Sequence, residues 1–170
     1  MVVEKLIRIA QHCLDLNNFN MAMSILAAFN NSSVHRLKFT FAGISKKVAK
    51  TLATINEHMS SSGAYKSIRQ LLANVKPPCI PFLGVYMSDL TFVEDGNPDR
   101  VHGGLVNFRK RKLEYDIIVQ LLAYQTQTYN LNMVHKIVAI IDGLEMIDDN
   151  ACYEASLRCE PRNATKKSLT

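Results

Sequence analysis

The sequence predicts an all-α fold, arranged as an irregular multi-helix bundle. Apolar residues recur at three- and four-residue steps in each periodic segment, which is the spacing of one helix face. No stretch alternates apolar and polar residues over the length of a β-strand, and no internal repeat or long linker divides the chain. We therefore expect one domain built from helices.

The length and composition narrow the class of protein. With 170 residues, of which 48% are hydrophobic, the chain is long enough to enclose a sizeable core and too apolar to be disordered. No apolar run approaches the ~20 residues that span a bilayer. The N-terminal residues also lack the basic start and the cleavage site of a signal peptide, so we expect a cytoplasmic protein.

The first two predicted helices are separated by asparagines. An amphipathic helix covers residues 2–16, because its apolar residues share one face, and Asn17 with Asn18 interrupts it. Asn20 or one of its neighbours is suited to cap a second helix that runs through Phe29. A short amide side chain accepts a hydrogen bond from the free backbone N–H groups of a first turn.

Two further helices follow a polar break and a short aromatic-rich helical turn at residues 34–41. Ser45 is placed to cap a helix that runs to Met59. Small and polar residues at 60–63 predict a loop. Residues 65–75 then return to the helical period.

A helix over residues 82–95 lies between strong boundary signals. Pro81 suits the first turn, where its missing N–H needs no partner, and Gly96 suits a left-handed residue after the last turn. The helix is apolar on nearly every side, so it is either buried in its own protein or presented to a partner. Glu94 and Asp95 sit at the negative end of the helix dipole, which is unfavourable by roughly 0.3–1 kcal/mol per charge.

A second long helix is predicted over residues 105–124. A short glycine-rich connection joins it to helix 82–95, so we expect the two to be antiparallel neighbours. Its early turns carry the basic run 109–112, whose charge has the wrong sign for that end of the dipole. The structural interpretation of this run is a solvated charged face, paired with Glu114, Asp116 or the acidic end of helix 82–95.

The C-terminal part is predicted to hold two shorter helices, at residues 131–144 and 150–159. In the first of them, four apolar side chains are expected to point inward: Val134, Ile137, Val138 and Ile141. Residues 161–170 are polar and are expected to form a frayed tail beyond a domain at 1–160.

The sequence contains no recognisable reaction centre. The four cysteines form no C-x-x-C pair, the five histidines are scattered, and no phosphate-binding loop or catalytic-triad signature is present. The carboxylates of the pairs Glu94–Asp95 and Asp148–Asp149 diverge by about 100° on a helix, which does not suit two-carboxylate catalysis. We therefore expect a binding surface, with no metal and no cofactor.

The net charge of +5 leaves nucleic acid, anionic lipid and an acidic protein surface open as partners. Neither a zinc finger nor an RNA-binding signature is present, and the chain has no tryptophan. Nucleic-acid binding is therefore not expected.

Five blocks of sequence occur in a fixed order: LNNFN at 16–20, SVHRLK at 33–38, PPCIPFLGVYMSDLTFVEDGNP at 77–98, LVNFRKR at 105–111 and EPRN at 160–163. Together they resemble the catalytic domain of guanine nucleotide exchange factors for Ras-family GTPases. The resemblance covers nearly the whole chain, and the proline-rich block is its most specific part. It implies that the two long helices form a protruding antiparallel hairpin, which pries the GTPase open.

The resemblance also implies roles for three residues near the end of helix 82–95. Asp95 falls where the family usually has a glutamate that mimics a phosphate, and Glu94 beside it is also acidic. Thr91 falls on the position that faces the Mg²⁺ site. The expected catalytic residues are therefore Thr91, Glu94 and Asp95.

Further roles follow from the same resemblance. Four residues are expected to bind the GTPase, chiefly its second switch segment: Asn17, Tyr65, Phe82 and Ser88. Four residues of the second hairpin helix are expected to brace the first: Asn107, Arg109, Lys110 and Arg111. The arginine of the SVHRLK block, Arg36, is expected to be structural.

These assignments have structural alternatives. Burial in the core also explains Phe82 and Tyr65, a helix cap also explains Asn17, and a solvated helix end also explains Asp95. In the family, further helices precede the block that here begins near Val2. We therefore expect an N-terminally truncated domain with apolar faces of its first helices uncovered.

Two main functions remain open from the sequence. The first is nucleotide exchange, in which helix 82–95 enters a Ras-, Rap- or Ral-type GTPase near the nucleotide and Mg²⁺, remodels the switch segments and promotes GDP release without covalent chemistry. The second is a non-catalytic fragment that binds a GTPase or another protein without driving exchange. A weaker third is a basic domain that binds lipid or nucleic acid through residues 109–112. Under the first function, membrane contact is expected only indirectly, through the lipidated GTPase.

Overall fold

The computed structural model of the chain describes residues 2–165. The α-helices of this part are α1 Val2–Asp15, α2 Phe19–Asn30, α3 Ser32–His35, α4 Lys38–Ala42, α5 Lys46–His58, α6 Ser62–Asn74, α7 Leu83–Gly96, α8 Phe108–Ala123, α9 His135–Asp142 and α10 Asp149–Cys159. Between residues 2 and 165 the chain has two isolated β-bridges but no β-strand. The all-α prediction is confirmed.

The core lies where α1 packs against α2 and α5, and it continues to α6 and α7. Ile7 and Ala10 of α1 are fully buried, three residues apart on one helix face. The other buried apolar residues are Phe19, Ala22, Ile25, Leu26, Phe29, Val48, Ile55, Met59, Ile68, Leu72, Cys79, Val85 and Tyr86. Several apolar residues of the first two helices nevertheless remain exposed, as does Leu16 between them: Val2, Leu6, Ile9 and Met21.

Helix caps correct two sequence interpretations. Asn18 caps α2, because its side-chain oxygen accepts from the backbone N–H of Met21 at 3.0 Å. Asn17 is therefore not the cap. Its side chain instead bonds to the proline-rich segment, as described below. Ser45 occupies the cap position of α5, but its side chain makes no capping hydrogen bond; instead its backbone N–H donates to the Glu4 carboxylate at 2.8 Å.

The boundaries of α7 differ from the prediction. The helix begins at Leu83, so Pro81 precedes it instead of occupying its first turn. Gly96 is the last helical residue and is not left-handed, so that prediction is wrong. The reason lies in Asn97, whose backbone is extended and whose side-chain amide donates to the Val93 carbonyl at 3.0 Å. This bond satisfies an end carbonyl that a left-handed glycine would otherwise help to satisfy.

Helix α9 is shorter than predicted and lies at the surface. Of the four side chains expected to point inward, three are 36–54% exposed and the fourth, Ile141, is 60% exposed. Ile140, on the other side of the helix, is also 67% exposed. Periodicity identified an apolar face correctly but could not show whether another element covers it.

A clasp joins the C-terminal helix to α3 and α4. The Glu160 carboxylate accepts hydrogen bonds from the backbone N–H groups of Phe39 at 3.2 Å and Thr40 at 2.6 Å, and from the Thr40 hydroxyl at 2.7 Å. Arg36 donates to the Ser156 carbonyl at 2.8 Å, which agrees with the structural role expected for it. Glu160 thereby satisfies the free N–H groups at the start of α4.

The predicted tail at 161–170 falls partly on residues 166–170, which lie outside the described residues. None of the helices found between residues 2 and 165 combines the length and the hydropathy needed to cross a bilayer.

Candidate functional site

Helices α7 and α8 run antiparallel. At one end the hydroxyl groups of Tyr86 and Tyr124 are 3.3 Å apart, and Tyr124 donates to the Leu72 carbonyl of α6 at 3.2 Å. At the other end Lys110 of α8 contacts Glu94 of α7. Two distant sets of contacts therefore fix the register of the pair, one at the end that adjoins α6 and one at the end that carries the connection. The protrusion of this pair from the helical body stays a prediction.

The connection between the two helices is ordered by Asn107. Its side-chain oxygen caps α8 by accepting from the Lys110 backbone N–H at 3.2 Å, and its amide donates to the Pro98 carbonyl at 2.8 Å. A backbone bond from Asn107 to the Asp99 carbonyl at 2.9 Å closes the connection further. One residue thus begins α8 and attaches it to the chain leaving α7.

The side chain of Lys110 is only 1% exposed, and its ammonium group joins the two ends of the connection. The ammonium nitrogen lies 2.8 Å from an oxygen of Asp99 and 2.8 Å from an oxygen of Glu94. The hydrogen bond to Asp99, followed in size by the one to Glu94, raises the pKa of Lys110. In return, the hydrogen bond from Lys110 holds the pKa of Asp99 below its usual range. Glu94 is therefore committed to an ion pair within the chain.

The other basic side chains of the run 109–112 behave mostly as the structural interpretation predicts. Arg111 pairs with Asp99 and, at 2.8 Å, with Glu114, and Lys112 pairs with Asp116 at 3.2 Å. Arg109 is exposed and makes no hydrogen bond or ion pair to another of the described residues. Of the four predicted bracing residues, Asn107, Lys110 and Arg111 are thus in contact with the connection. The paired charges also weaken the case for a free anion-binding patch here.

The three predicted catalytic residues line one shallow groove between α7 and α8. Leu90, Thr91, Glu94 and Asp95 form its α7 side, and Glu114 and Ile118 form its α8 side. The Thr91 hydroxyl donates to the Met87 carbonyl at 3.0 Å within the helix. Asp95 is exposed and has no hydrogen-bond or ion-pair partner in the described part of the chain. Asp95 is therefore the carboxylate of α7 that is available to a ligand.

The apolar side chains of α7 differ sharply in exposure. Val85 and Tyr86 are 1% and 5% exposed and belong to the core. Leu83, Met87 and Phe92 are 52%, 62% and 72% exposed. The sequence left burial and presentation open for this apolar helix; Val85 and Tyr86 are buried, while Leu83 and Met87, one turn apart on the helix, stay exposed.

Tyr65 and Phe82, two predicted GTPase-binding residues, are in contact. Their ring centroids are 5.6 Å apart with planes inclined at 56°, and both side chains are half-buried at the edge of the core. The Phe82 ring also lies over Gly84, where an added Cβ would be 2.4 Å from the ring Cζ atom. Gly84 thus provides the space that lets this ring lie against α7.

An unusual backbone segment presents Tyr65. Gly63, Ala64 and Tyr65 have φ values of 60°, 54° and 62°, so three consecutive residues are left-handed at the start of α6. For residues with a Cβ this conformation costs roughly 1–2 kcal/mol each. Such a turn persists only where neighbouring contacts hold it.

Arg69 and Asp89 were not identified as functional by the sequence, although they lie between predicted site residues. The Arg69 guanidinium donates to both oxygens of Asp89, at 2.7 Å and 2.6 Å, and its Nε donates to the Ala64 carbonyl at 2.8 Å. The hydrogen bond to Asp89 raises the pKa of Arg69. The pair is 20 residues apart and belongs to no local motif, so no sequence signal singled it out.

Asn17 and Ser88 make their hydrogen bonds to backbone carbonyls. The Asn17 amide donates to Lys76 at 3.4 Å and Pro78 at 3.3 Å, and Asn17 itself is left-handed with a φ of 59°. The Ser88 hydroxyl donates to Gly84 at 2.8 Å within α7. Neither side chain is hydrogen-bonded to the Tyr65–Phe82 pair. Asn17 fixes the proline-rich segment that leads into α7.

Within residues 2–165 no group of three or more His, Cys, Asp or Glu side chains is arranged to hold a metal ion.

Comparison with known proteins links this geometry to a family. A family model described as the RasGEF domain matches residues 1–112. The chain is 44% identical to Ras guanine nucleotide exchange factor J of Dictyostelium discoideum over 169 residues, which are 99% of this chain and 21% of that protein. Exchange factor I of the same organism is 43% identical, over 99% of this chain and 20% of that protein.

A mammalian relative is also similar over most of the chain. Ras-specific guanine nucleotide-releasing factor 1 of Rattus norvegicus is 37% identical over 164 residues, which are 96% of this chain and 13% of that protein. The chain thus spans about a fifth or less of the length of these curated relatives.

Proposed function

The chain belongs to the RasGEF domain family, and on this premise we propose that it acts as a guanine nucleotide exchange factor that promotes GDP release from a Ras-family small GTPase. The reaction breaks no covalent bond. It requires a surface that binds the open, nucleotide-free GTPase more tightly than the closed, GDP-bound one, because only a difference in affinity shifts that equilibrium.

The observation that carries this proposal is that two adjacent carboxylates have different surroundings: one is ion-paired and the other, among the described residues, is free in the groove. Lys110 holds Glu94 at 2.8 Å, whereas Asp95 is exposed in the groove that also contains Thr91. A GTPase that has lost its nucleotide has phosphate-binding groups without an anionic partner. In our proposal Asp95 supplies that negative charge, Thr91 faces the Mg²⁺ site, and Glu94 keeps the end of α7 in place.

The Tyr65–Phe82 pair supports a second contact. The half-buried rings form an edge that is anchored in the core yet open on one side. Aromatic side chains held in this way are typical interface anchors. We propose that the pair binds the second switch segment while the exposed apolar side of α7, with Leu83 and Met87, displaces the first.

The partner is proposed to be a GTPase of the Ras, Rap or Ral type. The relatives named above carry Ras in their names, which favours a Ras-type target for this chain. A cytoplasmic location and an indirect approach to the membrane, through a lipidated GTPase, belong to the same proposal.

The test is the release of a fluorescent GDP analogue from purified Ras-, Rap- and Ral-type GTPases, with and without the full 170-residue chain. We expect faster release from at least one of them. Asp95→Ala is expected to lower the maximal release rate roughly 10- to 100-fold, as the loss of a positioned charge does. Asp142→Ala, which removes an exposed carboxylate at the last residue of α9, is the matched control, and its release rate is expected to equal that of the parent chain.

Two outcomes would contradict the proposal. Unchanged release from every GTPase, with a folded chain, would contradict exchange, and binding without faster release would instead indicate a non-catalytic binding domain. An Asp95→Ala variant as active as the Asp142→Ala control would contradict the site assignment alone.

A further inference from the structure

Two regions that the proposed mechanism uses separately, the left-handed start of α6 and helix α7, are joined by a single side chain. Arg69 of α6 uses two guanidinium nitrogens for the Asp89 carboxylate of α7 and the third for the Ala64 carbonyl. Ala64 is the middle residue of the left-handed segment that ends at Tyr65. Arg69 therefore connects the segment that presents an aromatic anchor to the helix that carries the groove.

The geometry of these bonds makes the connection rigid. A guanidinium group has a fixed planar fork, so a bidentate pair sets the direction of the carboxylate as well as its distance. The third bond goes to a backbone carbonyl and not to a mobile side chain. The Arg69 side chain is 38% exposed and that of Asp89 is 28% exposed, so the pair lies at the edge of the core.

Asp89 occupies a central position on α7. It lies between Tyr86, which joins the core and contacts Tyr124, and Thr91, which lines the groove. A displacement at Asp89 would therefore move the groove relative to the Tyr65–Phe82 pair. The contacts of Lys110 act at the far end of the helix, on Glu94 and Asp99, and do not involve the left-handed segment.

We propose that Arg69 is a positioning residue: it fixes the distance between the Tyr65–Phe82 pair and the Thr91–Asp95 groove, so that one GTPase molecule engages both at the same time. This inference rests on the proposed exchange function. In this role Arg69 and Asp89 affect the rate of exchange by positioning other residues and not by direct contact with the GTPase.

The experiment compares the full chain with Arg69→Met, Arg69→Lys, Asp89→Asn and the double variant Arg69→Met/Asp89→Asn. For each chain, GDP-analogue release is measured over a range of chain concentrations, which separates the maximal rate from the half-saturating concentration. We expect Arg69→Met to lower the maximal rate about tenfold or more, and the half-saturating concentration to change less than about threefold, because misplacement affects insertion more than the first encounter.

The variants test whether Arg69 and Asp89 act through their contact with each other or independently. Asp89→Asn is expected to resemble Arg69→Met, and the double variant to be no worse than either, because each single change already removes the same connection. Arg69→Lys keeps the charge but not the fork, so it is expected to recover only part of the rate. Arg158→Met, an exposed arginine of α10 with no ion pair among the described residues, is the control for loss of an arginine.

Amide hydrogen exchange provides a readout that does not depend on the GTPase. The backbone N–H of Tyr65 donates to the Ser61 carbonyl at 3.2 Å, so its exchange reports on the left-handed segment. In Arg69→Met we expect this amide and those of α7 to exchange about tenfold faster, with amides of α2 unchanged. Circular dichroism must show the same helix content in all variants.

The outcomes separate the two proposals. If the parent chain accelerates release and Arg69→Met is equally fast, the inference about Arg69 is wrong and the exchange function stands. If the parent chain is inactive on every GTPase, the exchange function is wrong, and hydrogen exchange then decides whether Arg69 restrains the left-handed segment and α7. Unchanged hydrogen exchange in Arg69→Met contradicts the inference in either case.

Discussion

Lys110 and Glu94 form an ion pair in which the cation has a buried side chain and the anion is largely exposed. The ammonium nitrogen lies 2.8 Å from the carboxylate, and the side chains are 1% and 60% exposed. The same ammonium group also binds Asp99, beyond the end of α7. The last turn of α7 is therefore attached to the start of α8 and to the connection between them. This contact also offsets the unfavourable position of an acidic residue at a helix C-terminus.

Removing the ammonium group is expected to loosen the end of α7 that carries the groove. In Lys110→Met the buried aliphatic part is retained, while Glu94 loses its ion-pair partner and Asp99 keeps only Arg111. We predict a roughly tenfold lower maximal rate of GDP-analogue release, the scale expected when a reacting surface is slightly misplaced. Lys112→Met is the matched control, because that lysine is 74% exposed and pairs only within its own helix. Equal rates in the two variants would show that Lys110 does not position the groove.

The ring of Phe82 depends on the missing side chain of Gly84. In Gly84→Ala the new Cβ would lie 2.4 Å from the ring Cζ, so the ring must move away from its present place against Tyr65 and α7. Alanine favours a helix over glycine by up to about 1 kcal/mol, so stability is expected to change little or to rise. We predict a roughly tenfold weaker affinity for the GTPase, measured by titration calorimetry, because an interface anchor is displaced.

Gly96→Ala controls for the helix-propensity part of that change. Gly96 is the last residue of α7, is not left-handed and has open space where a Cβ would be. We expect the parent affinity in this variant. A loss of affinity equal to that of Gly84→Ala would point to a general effect of alanine in α7 and against displacement of the Phe82 ring.

Glu160 is expected to contribute to the stability of the whole domain. Its carboxylate caps α4 with three hydrogen bonds across 120 residues of sequence. Glu160→Ala leaves two backbone N–H groups without their partner, which is expected to lower the free energy of unfolding by about 2 kcal/mol. Urea denaturation followed by circular dichroism measures this, and a change below about 0.5 kcal/mol would contradict the clasp.

The same carboxylate predicts a dependence of stability on pH. Burial raises the pKa of Glu160, but hydrogen bonds from Thr40 and Phe39 outweigh it and hold the pKa below the ordinary value of 4.5. Because the folded-state pKa is the lower one, the stabilisation is complete above the unfolded-state value and is lost as the pH falls through the folded-state value. Between about pH 5 and pH 3, we expect the stability of the parent chain to fall more steeply than that of Glu160→Gln. Parallel pH profiles would show that this carboxylate is not linked to folding.

The surface position of α9 gives a prediction opposite to the one its periodicity suggests. Ile141 is 60% exposed, so Ile141→Gln is expected to change the free energy of unfolding by less than about 0.5 kcal/mol. Ile55 of α5 is fully buried, and Ile55→Ala is expected to cost about 2–5 kcal/mol. A large loss in Ile141→Gln, measured by the same denaturation, would place that side chain in a packed environment.

Local sequence patterns predicted the helices well but could not specify their partners. The apolar periodicity of α1 and the capping asparagine before α2 are local features, and both were found close to their predicted positions. The inward face predicted for α9 was wrong, because the pattern of one helix carries no information about which element covers it.

The candidate site was predictable to the extent that it lies on one continuous helix. Thr91 and Asp95 are one helical turn apart, so their common groove follows from spacing alone. The role of Glu94 depends on Lys110, sixteen residues later, and this ion pair could be seen only in the structure. Arg69 bonds Ala64 within α6 and Asp89 on α7, twenty residues later, and the left-handed backbone at Ala64 breaks the usual conformational preference of alanine. Such a contact has no signal in the local sequence.

The most direct test of the proposed mechanism compares the affinity of the chain for the two states of the most responsive GTPase. Dissociation constants are measured for the nucleotide-free and the GDP-bound forms under the same conditions. By reciprocal linkage, a chain that drives GDP off must bind the nucleotide-free form more tightly, and we predict a ratio of about 100-fold or more. Asp95→Ala is expected to reduce this ratio, mainly by weakening binding to the nucleotide-free form. Equal affinity for both forms would contradict the exchange mechanism, however tightly the chain binds.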